Sequence, residues 1–215
     1  MDASFWQERW QRNEIAFHQS KPNTLLVKYL GDLALPRGSR VFVPLCGKTL
    51  DILWLLSQSY RVAGAELSKI AVMQLFAELG VKPGIETVGK MSRYSAPNVD
   101  IFLGDIFNLS KIDLGCIDAT YDRAALVALP EPMRPRYTAH LMDITDRAPQ
   151  FLITYTYDQL LADGPPFSVS NQEVARHYQG SYDLKLIASV DVAGGLKGKC
   201  AATENAWLLK KDLKQ

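Results

Sequence analysis

The chain has 215 residues, 47% of them apolar, with 14 Gly and 11 Pro, which suits one α/β domain with a full core and excludes a disordered or collagen-like chain. Its 24 Lys and Arg against 23 Asp and Glu leave a net charge of +1, too even a balance for a nucleic-acid-binding field or an acidic tail. No apolar run reaches the ~18 residues of a membrane span, the start with Asp2 and Glu8 lacks the pattern of a secretory signal, and three cysteines without a CxxC pair exclude a disulfide scaffold and a zinc site. A soluble, cytoplasmic protein that needs no metal is the expectation.

Residues 4–18 read as an amphipathic helix, because Trp6 and Trp10 share one face among polar neighbours. It is either a helix stapled to the core by its tryptophans or a lid, with Ala16, Phe17 and His18 reaching toward a ligand. Residues 21–30 predict a second helix, stopped near Gly31 and Pro36.

The central stretch is VFVPLCGKTLD, from Val41 to Asp51. A buried strand runs into a tight turn at Gly47, and a helix follows over residues 50–56. In open parallel sheets ligands lie at the carboxyl ends of the strands, where this first turn and the helix start offer backbone N–H groups. A second strand over residues 61–66 ends in Glu66, placed to take both hydroxyls of a ribose. A GxxxxGK[ST] loop would need glycine where Phe42 stands, and a GxGxxG fingerprint would need glycines that the turn around Gly47 lacks. Elimination leaves a nucleoside without phosphates, a description that S-adenosylmethionine meets. Cys46 has no histidine nearby in sequence to activate it and reads as a packing or bystander thiol.

Residues 68–79 carry Val72, Leu75, Phe76 and Leu79 at helical spacing. The piece from 85 to 97 is ambiguous, with a small hairpin as one reading. A strand over 99–103 ends at Gly104-Asp105-Ile106, where Asp105 is either a turn-former or the acid that faces an adenine amino group. Residues 116–121 predict the central fourth strand, followed by Asp122 and Arg123 at the mouth of the pocket. Asp122 is either the N-cap of the next helix or part of the site. Arg123, directly after a buried strand, stays solvated only by facing a cleft, and its planar fork can bind a carboxylate or a purine edge.

A helix over 133–147 carries Met133, Tyr137, Leu141 and Ile144 on one face, and His140 and His177 read as satisfied or surface histidines. A fifth strand covers 151–156. Asp163-Gly164-Pro165-Pro166-Phe167 makes a stiff loop, either a connector or a pocket wall carrying Phe167. Ser170 and Glu173 form a capping box for a helix with Val174 and Tyr178, and strands at 184–190 and 206–209 close the chain as a hairpin.

FVPLCGKTLD, YDRAALVALP at Tyr121 to Pro130, GPPFSV at Gly164 to Val169 and the N-terminal FWQERWQRNEIAFH together resemble the thiopurine S-methyltransferase family in its bacterial form. The likeness runs in order from Phe5 to about Tyr178. It implies a Rossmann-like class I methyltransferase fold: α/β, with a mostly parallel seven-stranded sheet, helices on both faces and the last strand antiparallel. It implies one S-adenosylmethionine-dependent domain over residues 1–215, with residues 1–30 as a lid over the cofactor. By the same likeness Trp10 contacts the cofactor, Leu45 and its turn embrace the methionine end, Glu66 takes the ribose, and Asp105 and Ile106 border adenine. Arg123 touches cofactor or acceptor and, with Asp122, is the candidate catalytic group, while Phe17 and Phe167 wall the acceptor pocket.

The family also has a second basic residue late in the chain, but residues 194–199 depart from that pattern and no residue is assigned. The implied reaction is methyl transfer to the sulfur of thiopurines or related aromatic thiols, or to selenium or tellurium compounds, by a monomer with no nucleic-acid or membrane partner. The rival readings are a dinucleotide-dependent oxidoreductase and a non-catalytic nucleoside- or chalcogen-binding protein on the same fold.

Overall fold

The computed structural model describes residues 3–15 and 18–211. The chain opens with α1 (Ala3–Gln11). This is shorter than the sequence pattern suggests, because Asn13 takes a left-handed φ of 56° that no continuing helix accommodates. Helix α2 (Thr24–Tyr29) starts where the Asn23 carboxamide oxygen accepts from the N–H groups of Leu25 and Leu26. Next come β1 (Arg40–Val43), α3 (Leu50–Ser57) capped by Thr49, β2 (Arg61–Glu66) and α4 (Lys69–Glu78) capped by Ser68. The strands β3 (Gly84–Val88) and β4 (Met91–Ala96) form a hairpin, followed by β5 (Val99–Leu103), α5 (Lys111–Leu114) and β6 (Ala119–Arg123). The chain finishes with α6 (Arg134–Ile144), β7 (Gln150–Tyr157), α7 (Asn171–Tyr178), β8 (Tyr182–Asp191) and β9 (Ala202–Lys211).

The nine strands among the described residues form one sheet in the order β3-β4-β5-β2-β1-β6-β7-β9-β8. The run β5-β2-β1-β6-β7 is parallel, and β9 lies antiparallel between β7 and β8. Seven of these strands are the expected ones. The other two, β3 and β4, extend the sheet beyond β5, antiparallel to each other and to it. The hairpin is faint in sequence because its outer strand buries almost nothing: Ile85 remains 61% exposed. The fourth expected strand also moves. Gly115, at φ 73°, ends α5, so β6 starts at Ala119 and carries Asp122 and Arg123 inside it.

Because side chains alternate along each strand, the sheet divides the core in two. On one face Val41, Val43, Val62, Ile101 and Tyr121 pack under α2, α3 and α4, through Leu26, Leu55 and Leu75 among others. On the other, Phe42, Ala63, Phe102 and Leu152 meet Tyr137 and Leu141 of α6 and Val174 and Tyr178 of α7. No helix among the described residues is long and apolar enough to cross a membrane.

The ends of α6 and α7 are joined by a buried ion pair. Arg134 Nη1 donates to both oxygens of Glu173 at 2.8 and 2.9 Å, and its Nε donates to the Leu129 carbonyl at 2.9 Å. The same nitrogen Nη1 reaches the Ser168 carbonyl at 3.2 Å, so one guanidinium fixes the loop that leads into α7. Removing the acid leaves an uncompensated buried cation. Glu173→Ala is therefore expected to lower unfolding stability by about 3 to 5 kcal/mol, with Glu173→Gln costing less, as read from midpoints of urea unfolding at constant slope.

Candidate active site at the carboxyl ends of the parallel strands

The turn after β1 is built from two left-handed residues, Leu45 at φ 46° and Gly47 at φ 54°. A leucine there is strained by about 1 to 3 kcal/mol, and such strain collects at functional sites. The surroundings hold it: the Cys46 N–H donates to the Ala65 carbonyl at 3.0 Å, knitting the turn to β2. The Cys46 thiol lies against Gly64, so close that a Cβ on that glycine would stand 2.9 Å from the sulfur. Burial first, and the neighbouring Glu66 second, push its pKa well up, which keeps it a protonated packing group.

Glu66 ends β2 in a buried position, 6% exposed. Its Oε2 accepts from the Gly47 N–H and its Oε1 from the Ser68 N–H, both at 2.7 Å. Burial raises the carboxyl pKa, and these N–H donors oppose the rise. Each carboxylate oxygen has a further lone-pair site, so the pinned acid can still accept from two hydroxyl groups. That donor and acceptor chemistry fits a ribose diol. Trp10 lies over the same turn: a Cβ on Gly47 would meet its ring at 3.2 Å. Only glycine satisfies both that clearance and the left-handed φ.

The neighbouring strand brings the next acid. Gly104 N–H donates to the Glu66 carbonyl at 2.9 Å, which sets Asp105 beside the end of β2. Asp105 is exposed, and its Oδ1 caps the following turn by accepting from the Phe107 N–H at 3.0 Å, leaving Oδ2 to face solvent or a ligand amine. Ile106 is buried beneath it, and its carbonyl lies 2.8 Å from His140 Nε2, so His140 is a partnered histidine. The strand ends carrying Asp105, Glu66, Leu45 and Arg123 belong to four adjacent strands, β5, β2, β1 and β6. Three strand spacings make about 14 Å, a length that one extended small molecule spans.

Arg123 closes this row. Its side chain is 8% exposed, its Nη1 stands 4.0 Å from Asp51 Oδ2, and its Nε is buried without a partner. Burial alone lowers its pKa, but Tyr121, Asp51, Tyr155 and Glu204 outweigh that, so the guanidinium stays charged. The carboxylates beside it are already engaged. Asp51 accepts from the Asn23 N–H at 2.7 Å and the Tyr121 hydroxyl at 3.0 Å; Glu204 accepts from Asn23 Nδ2 at 3.1 Å and the Tyr155 hydroxyl at 3.0 Å. A cleft of about 400 Å³ opens next to this group, lined by His18, Lys21, Asn23, Thr24 and Glu204. Burial, then Lys48, lowers the pKa of His18, which favours the neutral imidazole.

The loop carrying Phe167 packs against the segment that follows β6. Phe167 N–H donates to the Val127 carbonyl at 2.6 Å, and the Arg134 guanidinium sits 5.7 Å from its ring centroid. Gly164 packs directly on that ring. Phe17 lies outside the described residues.

Asp122 behaves differently from Arg123. Strand alternation turns it to the opposite sheet face, where it is fully buried. Its Oδ1 accepts from the Leu126 N–H at 3.1 Å and its Oδ2 from the Tyr137 hydroxyl at 2.7 Å. Asp122 therefore ties down the turn that leads to Leu126 and is directed away from the guanidinium; the N-cap of the short helical turn at Leu126–Ala128 is Ala125, without a side-chain cap. Asp51, Tyr121, Tyr155 and Glu204 join Arg123 without being marked as site residues by any motif. Asp51 stood inside the central stretch, but only its contacts with Tyr121 and Arg123 mark it, and Glu204 carries no local signal.

A family model described as Thiopurine S-methyltransferase (TPMT) matches residues 1–212. The chain is 54% identical over 212 residues to a thiopurine S-methyltransferase of Xanthobacter autotrophicus, covering 98% of this chain and 100% of the relative. It is 50% identical over 213 residues to one of Teredinibacter turnerae, covering 99% of each. Among solved structures it is similar to an S-adenosylmethionine-dependent methyltransferase of Anabaena variabilis, with TM-score 0.65 and 15% identity over 98% of this chain and 95% of that one. It is also similar to a Burkholderia thailandensis 1,6-didemethyltoxoflavin-N1-methyltransferase with bound S-adenosylhomocysteine, with TM-score 0.66 and 14% identity over 98% and 87%. Fold and site together define an S-adenosylmethionine-dependent methyltransferase. Within that class, the chain belongs to the thiopurine S-methyltransferase family.

Burial raises the Asp122 pKa from 3.8 to about 6, against the pull of the Leu126 N–H and the Tyr137 hydroxyl. The native state therefore binds a proton here that the unfolded chain has lost, so this group's contribution is full below pH 3.8 and is lost as pH rises through about 6. Asp122→Asn removes that loss. Its melting temperature relative to the parent protein is expected to rise between about pH 4 and pH 7, as thermal unfolding monitored by circular dichroism at both ends would show.

Proposed function

We propose that the protein transfers the methyl group of S-adenosylmethionine to the sulfur of thiopurines and related aromatic thiols. The observation that carries this reading is the buried, charged Arg123 with an unpartnered Nε, set at the end of a strand row that also presents a pinned carboxylate and no phosphate-binding glycines. Family membership supports it, because the named relatives are thiopurine S-methyltransferases over their whole length. Nothing favours a dinucleotide-dependent oxidoreductase.

S-adenosylmethionine, when bound, supplies a methyl carbon already activated by its sulfonium charge, so the protein needs no nucleophile of its own. In this reading Glu66 accepts from the ribose hydroxyls, Asp105 and Ile106 border the adenine, and Leu45 with its turn holds the methionine end. Trp10 closes over them, within a lid of residues 1–30 on a single domain. Arg123 donates to the acceptor, and its charge favours an ionised sulfur over a protonated one. Phe17 and Phe167 wall a flat heteroaromatic ring, so that the attacking atom is held about 3 to 3.5 Å from the methyl carbon. Asp122 acts by position, anchoring the turn after Arg123. Soft anionic selenium or tellurium compounds suit the same site, and a cytoplasmic monomer suits an even charge balance.

Incubation with S-adenosylmethionine and 6-mercaptopurine is expected to yield the methyl thioether by mass spectrometry; no product from either this or a simple aromatic thiol would overturn the reading. Glu66→Ala is expected to weaken S-adenosylmethionine binding by about 1 to 3 kcal/mol, the range for losing hydrogen bonds to a charged group. Titration calorimetry returning the parent affinity would take Glu66 out of the site.

A further inference from the structure

Arg123 is a buried cation flanked by two carboxylates, yet it makes no close ion pair with either. A guanidinium and a carboxylate that are free to meet settle at about 2.7 to 2.9 Å, usually through two parallel hydrogen bonds. Here the nearest approach is 4.0 Å, and Nε is left without any partner. The cause lies in what already holds the acids. Asp51 is gripped at one oxygen by the Asn23 N–H and at the other by the Tyr121 hydroxyl. Glu204 is gripped at Oε1 by both the Asn23 carboxamide and the Tyr155 hydroxyl.

We propose that Tyr121 and Asn23, with Tyr155 in support, are positioning residues that restrain Asp51 and Glu204, so that Arg123 keeps its donors for the acceptor. Alternation along β6 places Tyr121 on the same face as Arg123, two residues away, which is why its hydroxyl can hold the acid that would otherwise capture that arginine. Asn23 adds the link to the N-terminal segment. Its side-chain oxygen caps α2, its Nδ2 reaches Glu204 and its backbone N–H reaches Asp51, all at a residue only 3% exposed. Seating the start of α2 therefore also fixes both carboxylates. The two acids still serve Arg123 from a distance, keeping it charged; the Tyr155 hydroxyl also touches the guanidinium, and Nε is left without a partner.

This inference rests on the reading that Arg123 meets the acceptor, and the test separates the two. Steady-state kinetics with 6-mercaptopurine, and calorimetry with S-adenosylmethionine, are measured for Arg123→Gln, Tyr121→Phe and the double variant Tyr121→Phe with Asp51→Asn. Arg123→Gln is expected to raise the acceptor KM. Tyr121→Phe is expected to raise it by about tenfold, because the released Asp51 pairs with Arg123, while S-adenosylmethionine affinity changes less than about twofold. Neutralising the freed acid in the double variant is expected to bring KM back to within about threefold of the parent, a rescue that a merely structural hydroxyl would not allow.

An unchanged KM in Arg123→Gln would overturn the acceptor role of Arg123 and this inference with it. A raised KM there with an unchanged KM in Tyr121→Phe, or a double variant no better than Tyr121→Phe, would overturn the positioning role alone. Should Tyr121→Phe fail to fold, Tyr155→Phe and its double variant with Glu204→Gln take its place under the same criteria.

Discussion

The site depends on one carboxylate. Glu66 sits at the end of β2 and joins the turn after β1 to the start of α4 by accepting the Gly47 and Ser68 N–H groups, each at 2.7 Å. Without a negative group at that point, two helix-entry turns would present buried N–H groups to each other with nothing between them. The same acid explains why the strained Leu45 conformation persists, since the turn is held on one side by Glu66 and on the other by the backbone of β2. The two loops at the ends of β1 and β2 are thus fastened together. Hydrogen bonds to the ionised form oppose the burial that would otherwise keep Glu66 neutral.

A second constraint is the alternation of side chains along β6. Tyr121 and Arg123 fall on one face with Asp51, while Asp122 falls on the other with Tyr137. One five-residue strand therefore serves two purposes without conflict: it holds a buried cation on the side of α3, and it anchors the turn toward α6. The stiff loop before α7 is held to this second side. The Phe167 N–H on Val127 and the Arg134 grip on Ser168 hold this loop, with the Phe167 ring, next to the segment that follows Arg123.

The third element is the entry from the N-terminal segment. Trp10 covers the Gly47 turn from α1, and Asn23 docks the start of α2 onto Asp51 and Glu204. The Gly47 turn and the Asp51–Glu204 pair are therefore both covered by the same stretch of chain. Burial favours the neutral form of His18, which lines the cleft beside Asn23 and Glu204.

Local pattern was enough for most of the framework. Periodicity and capping residues marked β1, β2, β5, β7 and helices α3, α4, α6 and α7 to within a few residues, and the missing glycines around Gly47 separated a nucleoside from a dinucleotide. Those signals are short-range, because each is read from neighbours along one strand or one turn. Residues in contact only through folding were not legible. The β3–β4 hairpin is only one of the readings that the sequence allows there, because its outer strand is exposed and has no burial pattern. Asn23 and Glu204 lie 181 residues apart yet share a hydrogen bond, and only the antiparallel return of β9 beside β7 brings Glu204 to the cleft. The sequence by itself determined the strands β1, β2, β5 and β7, the first turn and the acid at the end of β2, since backbone geometry and local hydrophobic spacing dictate them. Only the tertiary structure decided which acids surround Arg123, and that Asp122 turns away from it, because strand register and long-range burial settle which side chains meet.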